Sequence, residues 1–112
     1  MDRHARQAQL AGIGVEGQAR VARAEVDVGL DGFAGEVAAR YLAGAGVGCV
    51  RVLSEALAAP AREVDARVRV EVRPGLQAPG ADEVDLGDPA AIELARGALL
   101  ALRALRRAAG GP

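Results

Sequence analysis

Lysine is absent from this 112-residue chain, and all 14 basic residues are arginine. No side-chain amine is therefore available for Schiff-base chemistry or for gripping a γ-phosphate. Cysteine occurs once, at Cys49, which excludes an intrachain disulfide and any cysteine-based zinc cluster. Cys49 lies in an apolar run, so it reads as a buried, inert thiol rather than a nucleophile. Histidine also occurs once, at His4; with no second His or Cys nearby it reads as a surface residue and not a metal ligand. Tryptophan is missing, and there is one Phe and one Tyr, which leaves few aromatic anchors for a ligand. No apolar run reaches membrane-spanning length. The opening "MDRHARQAQ" lacks the apolar core of a signal peptide, which predicts a cytoplasmic protein. The formal net charge is −1, so no global basic field favours nucleic acid or an anionic membrane.

What is present is a small-residue core. The chain is 51% apolar, mostly Ala, Val and Leu, and its length fits one domain. Residues 1–24 read as a polar N-terminal arm. It holds short helices near Arg3–Leu10 and Glu16–Ala22, separated by "GIGVEG". Residues 25–86 read as a βαβαβ core. A short strand at Val26–Val28 leads to a helix from about Gly35 to Ala45, ended by "GAGVG". "CVRVL", Cys49–Leu53, reads as the second strand, and a short helix at Glu55–Ala59 is predicted to stop near Pro60. In "EVDARVRVEVRP", Val64, Ala66, Val68, Val70 and Val72 alternate with charged residues, the pattern of a strand with one solvent-facing side at a sheet edge. "EVDL", residues 83–86, reads as a brief fourth strand.

Residues 87–109 carry the strongest helix signal. Asp88 is placed to N-cap it, Pro89 suits its first turn, and Arg103, Arg106 and Arg107 suit the negative end of its dipole. On a helical wheel Leu94, Ala98, Leu99, Ala101, Leu102 and Leu105 fall on one broad face. Leu100 falls among the charges, as either an exposed leucine or a partner contact. The alternation with short links predicts an α/β fold with a parallel sheet and right-handed crossovers. Asp27 is anomalous inside a strand; if buried it requires a partner such as Arg40 or an N-terminal arginine.

"RHARQAQLAGIGVEGQARVARAEV", residues 3–26, resembles the lead-in of the ThiF/MoeB/HesA family, the bacterial relatives of ubiquitin-activating enzymes. That family opens "RYxRQ…L…G…GQxxL…V", and Arg3, Arg6, Gln7, Leu10, Gly14, Gly17, Gln18 and Val26 fall in register with it. "ARYLAGAGVG" is similar to the family's "xxYLAxAGVG". "REVDARVRVEV" and the last helix look like its later strand and closing helix. The resemblance implies a small truncated Rossmann-like three-layer fold, with a three- to four-stranded, mainly parallel sheet and a long C-terminal helix. Family members adenylate the Gly-Gly tail of a small carrier protein with Mg-ATP.

The resemblance also shows what this chain lacks. The family's phosphate loop, GxGGLG, falls on Leu30-Asp31-Gly32-Phe33-Ala34-Gly35. Gly32 and Gly35 match, and they are the candidate nucleotide-binding residues of a weak loop. Leu30 and Phe33 take space that phosphate needs. Asp31 would repel phosphate and is placed to satisfy the free N–H groups of the helix terminus itself. Ser54 stands where the family has a ribose-holding acid, with Glu55 beside it either as a substitute or as part of a helix start. The segment with "SNLxRQ", the catalytic Arg and the catalytic Lys is missing, and so is a convincing magnesium-binding Asp; Asp88 reads more simply as a cap. No catalytic residue, metal or cofactor is expected. Arg3, Arg6, Gln7 and Leu100 are the expected partner-interface residues. Arg6 corresponds to the family arginine that reaches across a dimer to the partner's ATP, or it holds the arm through an acidic side chain.

The resemblance thus implies a non-catalytic, ThiF-like pseudoenzyme. It would be a homodimer, or the partner of an intact family enzyme or of a small carrier protein or peptide. The alternative is a small nucleotide-binding sensor that retains a weak phosphate loop without adenylation.

Overall fold

Alternation of valine with charged residues, broken only at Cys49, sets the architecture. In the computed structural model, which describes residues 15–77 and 88–110, three four-residue strands carry this pattern. They are β1 (Glu25–Val28), β2 (Cys49–Val52) and β3 (Arg69–Val72), and they form one parallel sheet in the order β1-β2-β3. The register places Val26, Val50 and Val70 in one row and Val28, Val52 and Val72 in the next. Side chains alternate across a strand, so these rows share a face. The intervening rows, Glu25-Cys49-Arg69 and Asp27-Arg51-Glu71, lie on the other.

The valine face holds the core. Helix α1 (Val15–Val21) precedes β1; α2 (Gly32–Gly44) and α3 (Glu55–Val64) cross between strands; α4 (Pro89–Ala108) follows the sheet. α2 and α3 pack on the sheet, and α4 packs mainly on α2 and also touches α1. Val28, Val50 and Val52 are fully buried beneath Ala34, Ala38 and Leu42 of α2 and Leu57, Ala58 and Ala61 of α3. Alanines on both helices let the backbones approach closely. At the α2–α4 crossing the approach is extreme: a Cβ on Gly97 would lie 2.4 Å from the Ala34 carbonyl oxygen and 2.8 Å from Val37 Cβ.

The opposite face is ionic. Arg51 pairs with Asp27 and, at 3.2 Å, with Glu25. Arg69 pairs with Glu25 at 2.8 Å and Glu71 at 3.6 Å. Asp27 is thus about half-exposed and held by Arg51, not by Arg40, which bonds Glu36 and Glu63 on the helical side. Among the described residues helices cover one face of the sheet, a two-layer arrangement in place of the three layers expected. The reason is in the strands: a parallel sheet buried on both faces needs nearly continuous apolar runs, and these strands put charges at every second position but Cys49.

The element boundaries differ from the sequence reading in three places. α2 starts three residues earlier than expected, because Asp31 caps it. α3 continues past Pro60 to Val64, because Ala61 is fully buried and Val64 packs on the core, extending the stripe begun by Leu57 and Ala58. β3 is correspondingly short. Val64 ends a helix, and Asp65 then turns the chain by accepting the Arg67 N–H at 2.9 Å, so the long strand expected from residue 64 begins only at Arg69. α4 is capped by Asp88, whose carboxylate accepts from Ala90 N at 3.0 Å, with Pro89 in its first turn, as predicted. The expected helix at 3–10 and strand at 83–86 lie outside the described residues.

Candidate functional site

A helix that follows a parallel strand presents free N–H groups at the carboxyl edge of the sheet, where α/β folds commonly bind anions. Here that position is the N-terminus of α2, and it holds the two candidate glycines. Gly32 is the first helical residue and has φ +59°. This left-handed conformation is open to glycine at little cost. The space around it is free: an added Cβ would meet only Glu93 Oε2, at 3.9 Å. Gly35 is a different case. A Cβ there would sit 2.1 Å from the Leu30 carbonyl oxygen and 3.3 Å from Leu57 Cδ1. Its absence of a side chain is explained by close packing of helix on strand, without a ligand.

Two N–H groups of this terminus, those of Gly32 and Ala34, are taken by the chain's own carboxylates. Asp31 Oδ1 accepts from Gly32 N at 2.8 Å. Glu93 Oε2, from the first turns of α4, accepts from Ala34 N at 3.1 Å. Gly35 N bonds the Asp31 carbonyl, the ordinary first bond of the helix. Two negative groups thus stand where the positive end of the dipole would attract an anion. The Asp31 contact is the one the sequence predicted. Glu93 was missed, since 59 residues separate it from Ala34 and no local pattern links them. Leu30 is buried, and Phe33 points outward with 48% exposure. Leu30 therefore belongs to the core, while Phe33 does not fill the loop.

The remaining predicted residues fall elsewhere. Ser54 occupies the N-cap of α3 without a side-chain bond, and Glu55 pairs with Arg62. Leu100 is half-buried and packs against the core, whereas Leu94, placed inward by the helical wheel, is 50% exposed. The buried seam of α4 is Gly97, Ala101, Ala104 and Leu105. It rotates away from Leu94 because only the smallest residues fit against α2. Cys49 is fully buried. Cys49 sits in the same cross-strand row as Arg69, and its proximity, followed by Glu25 and Glu71, raises the arginine's already high pKa. Arg3, Arg6 and Gln7 lie outside the described residues. Among the described residues no group of three His, Cys, Asp or Glu is placed to hold a metal ion, and no helix is long and apolar enough to cross a membrane.

A second concave feature lies at the other end of β1. An open groove of about 760 Å³ runs beside this edge strand, between the end of α1 and the last turns of α4. It is lined by four arginines, Arg20, Arg23, Arg51 and Arg107, and by two carboxylates, Glu25 and Asp27. Comparison with protein-family models, curated proteins and solved structures found no match.

Proposed function

We propose that this chain is a non-catalytic α/β module that acts by binding another protein. The observation that carries the first half is the double carboxylate cap on α2. Phosphate at a helix terminus is held by free N–H groups and the dipole, and here Asp31 and Glu93 already occupy two of those N–H groups and face the dipole. An incoming triphosphate would have to displace two hydrogen-bonded anions of its own sign. Adenylyl transfer needs positioned cations around the reacting phosphate. At Gly32 the side chains in contact are these two acids, and Arg96 is paired with Glu93 at 3.6 Å.

The second half rests on surface. Among the described residues the sheet has three strands and two unpaired edges, and one of its faces carries only ionic side chains over Cys49. Free edges and an uncovered face are where other chains pair with α/β proteins. This reading agrees with the ThiF-like resemblance in a degenerate form, as a pseudoenzyme subunit that keeps the means of association and has lost those of ATP chemistry.

Calorimetric titration with Mg-ATP, with AMP as comparator, tests it. The expected result is no saturable heat with either nucleotide. Saturable binding that is lost in Gly32→Val, with the circular dichroism unchanged, would overturn the reading in favour of a nucleotide sensor.

A further inference from the structure

The groove beside β1 has the composition of a strand-docking site. In the parallel ladder Cys49 N donates to Ala24 O, and the register pairs Val26 with Val50. Alternation then turns the N–H and C=O groups of Glu25 and Asp27 away from β2. Among the described residues β1 is the end strand of the sheet, so these four groups face the groove. None of them has a backbone hydrogen bond among the described residues. β1 holds no proline and no bulge, two of the devices against strand addition, and its charged residues, Glu25 and Asp27, are turned to the ionic face and held there by Arg51 and Arg69. The groove is also roomy at its base, because Ala24, Ala104 and Ala108 line it with small side chains.

Its charge selects the occupant. Glu25 and Asp27 are neutralised by Arg51 and Arg69 on the ionic face. Arg20 is engaged by the Ala109 carbonyl and Glu16. Arg23 and Arg107 are exposed and make no hydrogen bond or ion pair among the described residues. Two uncommitted guanidinium groups therefore flank a free strand edge in a chain whose formal charge is −1. We propose that the groove along β1 is the docking site for an extended, acidic segment of a partner protein, which adds to the sheet as a fourth strand and sets its carboxylates against Arg23 and Arg107. Backbone pairing to Glu25 and Asp27 would supply affinity, and the two arginines would supply preference for acidic side chains. This inference rests on the protein-binding reading above and names its surface.

The test uses a fluorescein-labelled peptide of about seven residues alternating Glu and Val, long enough for one strand, with the full chain. The same pattern with Lys for Glu, and a version N-methylated at alternate residues, are the comparators. Fluorescence polarisation should show saturable binding of the Glu-Val peptide and at least tenfold weaker binding of both comparators. Arg23→Glu and Arg107→Glu should each weaken binding by about fivefold and together by roughly 25-fold, from the loss of one exposed ion pair and its replacement by repulsion at each site. Arg106→Glu, on the exposed side of α4 outside the groove, should leave binding unchanged. In hydrogen exchange, peptide should slow the amides of Glu25 and Asp27.

Three results would overturn the proposal: no peptide binding at millimolar concentration, equal binding of the Lys peptide, or binding insensitive to both arginine reversals. Slow exchange at Glu25 and Asp27 in the free protein would also overturn it, by showing the edge already paired. These outcomes leave the protein-binding reading standing. That reading fails on a different result, saturable Mg-ATP binding.

Discussion

Removing the Glu93 carboxylate should destabilise the fold through helix α2, on which Glu93 does not lie. Glu93→Ala deletes the 3.1 Å bond to Ala34 N. A hydrogen bond to a charged group contributes about 1.5–3 kcal/mol when buried. This one is part-buried, and the Ala34 N–H can turn partly to water at a helix end whose first two residues, Gly32 and Phe33, are exposed. The low end of the range applies, about 1.5 kcal/mol. The pair with Arg96 is solvated on both sides and adds a few tenths of a kcal/mol at most, roughly the value of an exposed helix pair. Asp31→Ala removes the other carboxylate and should cost about 1 kcal/mol, the usual effect of losing an N-cap. Both groups act on one dipole and on neighbouring N–H groups, so their effects should couple by at least ~0.5 kcal/mol in a double-mutant cycle. Urea denaturation followed by circular dichroism reads this directly. With an m-value of about 1.5 kcal/mol/M, Glu93→Ala should lower the midpoint by roughly 1 M. Glu93→Gln, which keeps an acceptor and loses the charge, should fall between. A Glu93→Ala midpoint equal to that of the parent would refute the reasoning, because Ala34 N would then be satisfied without the carboxylate and the terminus would be free for an anion.

The packing makes further predictions. Gly97→Ala should destabilise by about 2 kcal/mol through overpacking against Ala34 and Val37, although helix propensity alone predicts a gain of about 1 kcal/mol; the sign of the shift in a thermal melt decides between them. Gly35→Ala should be far worse than Gly32→Ala. The first collides with backbone at 2.1 Å, and the second has open space and pays only for its φ of +59°, about 1–2 kcal/mol; the order of the two urea midpoints is the measurement. Cys49 should react with a thiol reagent only as fast as the sheet opens, since it is fully buried under the ionic face. Arg69→Ala should accelerate that reaction at least tenfold, an increase larger than its effect on the urea midpoint would produce.

Local chemistry was legible in the sequence where the causes were local. Asp88-Pro89 opened α4 and Asp31 capped α2, since an N-cap acts within two or three residues of itself. The order of strands and crossing helices followed from the spacing of apolar runs. Pro60 misled because it removes only one bond in a helix whose buried stripe continues through Ala61. Val64 and Ala66 misled because they continue the alternation of β3 in sequence, while Asp65 turns the chain between them. The site was half legible. Asp31 announced itself beside the glycines, but Glu93 acts across 59 residues. Gly97 gave no signal either, because its reason is the Ala34 carbonyl on another helix.

The second layer of the sheet was the larger misreading, and its cause is instructive. Asp27 looked like a flaw in β1, and the alternation of β3 looked like an edge effect. Aligned by register, Glu25-Val26-Asp27-Val28, Cys49-Val50-Arg51-Val52 and Arg69-Val70-Glu71-Val72 show one pattern three times. Each row on the charged face then carries residues of both signs or the cysteine beneath Arg69. Such a sheet does not need a second helical layer, since its outer face is satisfied by its own ion pairs. Covering it with an apolar helix would bury Glu25, Asp27, Arg51, Arg69 and Glu71 at a desolvation cost of several kcal/mol per ion. Any partner of that face must therefore be polar, and the partner of the β1 edge beside it must bring the charge that Arg23 and Arg107 lack.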